Sequence, residues 1–204
     1  MPKDKSASHK RIKEAMKAEF LANGFIGASI RSIGEKAGMT SAALYRHYSS
    51  KEEMFCSLVE PFIEKLRKSM NLHQMTKYEL ADKQKADFSL GGTFTDIVRD
   101  VILPNRDEFL LLINCSEGTK YENFLHSFAE ENRQELEDAV KFMKKHGYPA
   151  KDLEKEELHM LLSAYLTAAF EPIIYGYSDE KVIKYLECVN EFFTPGWMRI
   201  MGLC

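Results

Sequence analysis

The side chains best able to do chemistry in this sequence are few and dispersed. His9, His47, His73, His126, His146 and His159 lie far apart, and none belongs to a His-Glu-x-x-His pair that could hold zinc beside a general base. Glu156 and His159 have the i, i+3 spacing of a carboxylate-bridged metal ligand pair. A di-metal helical site needs a second Glu-x-x-His on another helix, and the sequence contains none. There is no glycine-rich phosphate loop and no Gly-x-Ser-x-Gly elbow. Cys56, Cys115, Cys188 and Cys204 are widely spaced without a Cys-x-x-Cys, as suits separate thiols in a reducing compartment. The expectation is therefore no enzyme, no metal and no cofactor. What remains is one short stretch with Thr40, Ser41, Ala42, Tyr45, Arg46, His47 and Lys51. It combines small, hydrogen-bonding, aromatic and cationic side chains, a set that suits a phosphate backbone and base edges.

The elements that position these residues read as helices. Apolar residues recur at three and four positions, almost nothing alternates, and glycine and proline fall between periodic segments, so the fold class is all-α. A first helix carries Ile12, Ala15, Met16 and Phe20 on one face, with Lys10, Arg11, Lys13 and Lys17 around them, and Asn23-Gly24 is a left-handed stop. Ser29 caps a short helix with Ile30, Ile33 and Ala37 inward, ended by Gly38. Thr40 caps a third helix of about two turns with Leu44 and Tyr48 inward and Ser41, Ala42, Tyr45, Arg46 and His47 outward. Ser50 to Glu53 has capping-box spacing and opens a longer helix through Leu66, bent at Pro61. The remainder reads as helices over 76–88, 93–103, 105–117, 119–146, 153–177 and 178–193.

Two short helices joined by a glycine turn and packed on a longer one form a helix-turn-helix, whose second short helix fits a major groove about 12 Å wide. The stretch from Ser29 to Phe55, SIRSIGEKAGMTSAALYRHYSSKEEMF, closely resembles the DNA-binding domain of TetR-type transcriptional regulators. Phe20 with Gly24-Phe25, Ala37-Gly38, Leu44-Tyr45-Arg46-His47-Tyr48 and Ser50-Lys51-Glu52-Glu53-Met54 carry the resemblance. It implies that Arg31, Ser41, Ala42, Tyr45 and His47 touch bases or the adjacent backbone. It also implies that Lys51 contacts a phosphate, with Thr40 and Arg46 as further backbone contacts. Ala42-Ala43 departs from the glycine and threonine frequent in the family and offers only methyl groups to a base. A cation in the first turn of a helix sits badly with the helix dipole, which also favours a phosphate partner for Lys51.

Charge divides the same way. Residues 1–51 carry ten Lys and Arg against four Asp and Glu, whereas the rest of the 204 residues carries 18 against 27. The basic tail, including Lys3, Lys5, Lys10, Arg11 and Lys13, is either a DNA-contacting arm or merely solvated. Residues 1–50 are thus expected to form a three-helix DNA-binding domain, and residues 51–204 a larger helical domain for effector binding and dimerisation. A single short recognition helix needs a second copy for tight specific binding. The most apolar helix pair supplies the expected dimer interface: Leu158, Leu162, Tyr165, Leu166 and Ala169 on one helix, and Val182, Leu186 and Val189 on the next. The same residues could instead be internal core. The resemblance also implies a small-molecule pocket, for which Phe62, Phe94, Asn114, Cys115, Tyr121, Phe124 and His126 are candidates beside Phe88. The basic start has no apolar run behind it, and the longest apolar stretch is too short to cross a bilayer, so a cytoplasmic protein without a membrane partner is expected. The whole reads as a homodimeric regulator, a repressor released from a pseudo-palindromic double-stranded DNA operator by a small, largely apolar effector. A DNA-binding activator and a helical ligand-binding or interaction module without DNA are the alternatives.

Overall fold

A computed structural model describes the backbone of residues 5–82 and 90–203 and the side chains of residues 8–71 and 94–203. Lys3, Phe88, Cys204 and the side chains of Lys5 and His73 lie outside the described residues. Every regular element among those described is helical: α1 (Lys5–Gly27), α2 (Ile30–Ala37), α3 (Ser41–Leu44), α4 (Lys51–Asp82), α5 (Leu90–Ile97), α6 (Arg106–Asn114), α7 (Phe124–Lys145), α8 (Lys155–Ile174) and α9 (Asp179–Ile200). The all-α expectation holds. The chain forms two compact units, one of Met1–Lys65 with Asn105–Phe124 and one of Leu66–Pro104 with Leu125–Cys204. The first unit thus takes in more chain than residues 1–50.

In the first unit the expected face of α1 is buried: Ile12, Met16 and Phe20 are fully covered, as are Ile33, Leu44, Met54 and Phe55. Phe20 meets Phe55 edge-on at 5.3 Å between ring centroids, and Phe25 lies 5.7 Å from Phe55. Each such phenylalanine contributes on the order of 2–3 kcal/mol by burial, with a smaller addition from ring geometry. α1 breaks at Gly24, whose φ of 67° is open to glycine but strained for other residues. The Ser50 hydroxyl accepts the Glu53 amide at 3.0 Å, whereas the Glu53 carboxylate turns to the amide and hydroxyl of Ser49. The capping box expected between Ser50 and Glu53 is therefore only half made. α4 runs unbroken through Pro61 to Asp82, where the sequence suggested a separate helix from Thr76. The 119–146 helix begins only at Phe124. Before it, the Ser116 hydroxyl donates to the Leu112 carbonyl and the Thr119 hydroxyl to that of Ser116, both at 2.7 Å, and these side-chain bonds favour turns over helix.

The second unit packs α9 against α5 and α8. α5 includes Gly91-Gly92 and continues through a π-type turn, Val98–Ile102, into a 3-10 turn, Leu103–Asn105. Phe94 lies 5.3 Å from Tyr165 and 5.8 Å from Phe170 in the core. The Tyr165 hydroxyl donates to Asn190 Oδ1 at 3.0 Å, and Asn190 Nδ2 to Thr95 Oγ1 at 2.9 Å, so the polar atoms within this aromatic cluster are paired. α9 passes Phe193 and Pro195 to reach Ile200, because Trp197 and Met201 extend its buried stripe by two further turns.

Candidate nucleic-acid interface

The surface singled out by sequence is built from α2, a tight turn and α3. The Ser29 hydroxyl accepts from the Ser32 amide and caps α2, and Gly38 ends it in the left-handed conformation at φ 67°, ψ 37°. Close approach inside this turn depends on Gly34. A Cβ there would sit 2.8 Å from the Met39 carbonyl oxygen, so any side chain forces the two helices apart. The Thr40 hydroxyl then accepts the Ala43 amide at 3.2 Å and caps α3. Four residues are α-helical, after which His47 N–H donates to Leu44 O at 2.8 Å and Tyr48 N–H to the same oxygen at 3.1 Å. The second half of the expected two-turn helix is therefore a looser hydrogen-bonded turn. Leu44 and Tyr48 point inward and are buried, while Thr40, Ala42, Arg46 and His47 are exposed, Ser41 is half-buried and Tyr45 is 50% exposed. No carboxylate occurs between Thr40 and Lys51, so the stretch carries no side-chain anion to repel a phosphate. Arg31 is exposed on α2, paired at 2.9 Å with Glu35.

Two ionic fastenings hold this surface on α1. Glu19, only 3% exposed, accepts hydrogen bonds from the Ser29 amide at 3.0 Å and from Ser32 Oγ and Lys36 Nζ at 2.6 Å each. Burial opposes its ionisation, but the bonds from Lys36, Ser32 and Ser29 outweigh that and take the carboxyl down to about 2. Sequence reasoning missed this residue, although a lone carboxylate between Met16 and Phe20 on a buried helix face was a readable signal. The second fastening is Lys51. Its ammonium donates to the carbonyls of Ile26 at 3.1 Å and Ala28 at 3.0 Å and lies 4.8 Å over the Phe25 ring. The partners that compensate its unfavourable helix position are thus backbone carbonyls, which leaves one N–H for a phosphate. Lys51→Ala is expected to cost about 1–2 kcal/mol in a denaturant titration, because two carbonyls lose a charged donor. A variant as stable as the parent would remove Lys51 from the fastening.

Residues 12–58, from the first buried position of α1 into α4, match the family described as bacterial regulatory proteins, tetR family. Over this stretch the chain is similar to the DNA-binding domain of the TetR family. The uncharacterized HTH-type transcriptional regulator YdgC of Bacillus subtilis (strain 168) is 28% identical over 134 residues, 66% of this chain. The match spans 62% of that relative, which is less than two thirds of its length. A crystal structure from Mesorhizobium loti MAFF303099, provisionally named a TetR-family transcriptional regulator, is 16% identical and covers 96% of either chain at a TM-score of 0.42.

The residues suggested for an effector pocket are divided between the two units. Phe62, Asn114, Cys115, Tyr121 and Phe124 belong to the first unit, and Phe94 and His126 to the second. Phe62, Phe94, Cys115 and Phe124 are buried, Asn114 and His126 are exposed, and the Tyr121 hydroxyl is tied to Glu60 at 3.1 Å. An open groove of about 800 Å³ in the first unit is floored by Leu21, Leu58, Pro61 and Phe62, so of those seven residues only Phe62 lines it. Burial raises the Cys56 and Cys115 thiols above their usual range, which disfavours thiolate chemistry. Among the described residues no group of three or more His, Cys, Asp or Glu is arranged to hold a metal, and no helix is long and apolar enough to cross a membrane.

The residues suggested for a dimer interface lie on α8 and α9. Leu158, Tyr165, Leu166, Ala169, Val182, Leu186 and Val189 are buried within the single chain, and only Leu162 is partly open. α9 packs there against α5 and α8. The exposed large apolar residues of these helices are Met160 (69% exposed) and Leu161 on α8 and Tyr185 and Phe192 (79%) on α9.

Proposed function

We propose that this chain is a one-component transcriptional regulator that binds double-stranded DNA as a homodimer, with α3 of each copy in a major groove. In this reading it is a repressor, released from a pseudo-palindromic operator by a small, largely apolar effector held by residues 51–204, with residues 1–50 reading the DNA. The observation that carries the DNA reading is the exposed, carboxylate-free surface from Thr40 to His47, presented by a capped helix whose Leu44 and Tyr48 are anchored in the core. Small side chains at Ser41 and Ala42 allow the approach to base edges that a groove about 12 Å wide demands. Phe192, Tyr185, Met160 and Leu161 support dimerisation through α8 and α9, since large apolar side chains this exposed on two packed helices suit a covered surface.

An effector acts by binding more tightly to a conformation in which the two reading helices no longer match one duplex. Its effect is limited by its differential affinity for the two states. The test is retention of genomic fragments on the purified protein, with and without a panel of small apolar molecules, followed by sequencing. Recovery of a common inverted repeat, lost when one compound is added, is expected. Retention of arbitrary fragments, indifferent to every compound, contradicts both halves of the reading.

A further inference from the structure

The first turns of α1 carry a feature that the family resemblance did not include. His9 is exposed, and its ring lies 6.4 Å from that of Tyr48 at an interplanar angle of 26° and 6.3 Å from that of His47 at 69°. Tyr48 is 6% exposed and therefore a fixed platform, so α1 is held against the end of the reading turn. The basic start is helical from Lys5, not a loose arm. Among the described residues neither imidazole has a hydrogen-bond or carboxylate partner. The groups facing His9 are His47 and Tyr48. On its own helix Lys10, Arg11 and Lys13 follow, with Glu14 4.0 Å from Lys10, and Arg46 is exposed next to His47.

We propose that His9 and His47 together form one phosphate site on the DNA-facing surface, their ring N–H groups donating to a single backbone phosphodiester. The two centroids stand at a separation that the free oxygens of one phosphate can bridge with ordinary hydrogen-bond lengths. The surrounding Lys10, Arg11, Lys13 and Arg46 add positive charge, and the Glu14 carboxylate is paired with Lys10. α1 thereby becomes part of the nucleic-acid footprint, and because imidazoles gain charge as pH falls, grip on DNA tightens in acid. The site rests on the reading of α3 as the DNA-binding element.

The test measures affinity for a retained operator duplex and for a scrambled duplex of equal length, across a salt series at about pH 6 and about pH 8. At the lower pH, His9→Gln is expected to weaken both duplexes about five- to tenfold and to flatten the slope of log K against log salt by about 0.9 for each copy of the chain. The difference shrinks at the higher pH. His9→Arg keeps the slope at both pH values, and the double variant with His47→Gln loses less than the product of the single losses. A salt slope and pH profile unchanged by His9→Gln, or a loss of binding matched by a fall in melting temperature, overturns the imidazole pair while leaving α3 as reader. Absence of salt-sensitive DNA binding by the unaltered protein overturns both.

Discussion

Replacing Glu19 with Ala is expected to destabilise the fold by about 3 kcal/mol. Glu19 is the junction at which α1 holds the start of α2. Its carboxylate satisfies the Ser29 amide, the Ser32 hydroxyl and the Lys36 ammonium, and without it the first two lose their part-buried partner. Lys36, 43% exposed, recovers water and contributes less to the loss. The effect is pH-dependent with a fixed sign. The folded value is lowered from 4.5 to about 2, so the contribution is present in full above about 4.5 and fades as pH falls towards 2. Thermal unfolding followed by circular dichroism at about pH 7 and about pH 3 checks this: parent and variant should differ widely at the first and converge towards the second. A gap of equal size at both would mean that Glu19 acts through packing and not through its charge.

Phe192→Glu should dissociate the proposed dimer without unfolding the subunit. Phe192 is 79% exposed in the single chain, so the substitution leaves no internal void, yet it places a charge among the exposed apolar residues of α8 and α9. Sedimentation should give a monomer at concentrations where the parent is dimeric. Operator affinity should fall at least about a hundredfold, because the second half-site is no longer held at high effective concentration. Leu186→Ala is the contrasting variant. It opens a cavity at a fully buried position and should cost about 2–5 kcal/mol of subunit stability. A Phe192→Glu protein that remains dimeric would place the subunit contact elsewhere.

These two variants also mark how far the sequence could be read. Ser29, Gly38 and Thr40 announce their roles through local chemistry, since capping and left-handed turns depend on residues within three or four positions, and the helix-turn-helix was legible for that reason. Glu19 and Lys51 act across 17 and 25 positions of chain, respectively, and no local pattern states which carbonyl or amide they will meet. The stripes on α8 and α9 show a different limit. Periodicity identifies an apolar face but not which neighbour covers it, so Leu186, buried by its own subunit, and Phe192, open to solvent, look alike in sequence. Helix ends failed where side chains of Ser116 and Thr119 captured the backbone, or where a later Trp197 drew a helix past a proline.

The claim on which the rest depends is that the outward face of α3 grips nucleic acid, and Tyr45 is its most telling probe. The ring is half exposed, beside a buried Leu44, and has no role in the core. Binding of the retained operator duplex by Tyr45→Ala, measured by fluorescence anisotropy over a salt series alongside a melting curve, is the direct measurement. Affinity lowered by tenfold or more with an unchanged melting temperature is the predicted result, about 1.4 kcal/mol of binding energy lost from the surface alone. Undiminished binding, or binding lost only together with the fold, would contradict it.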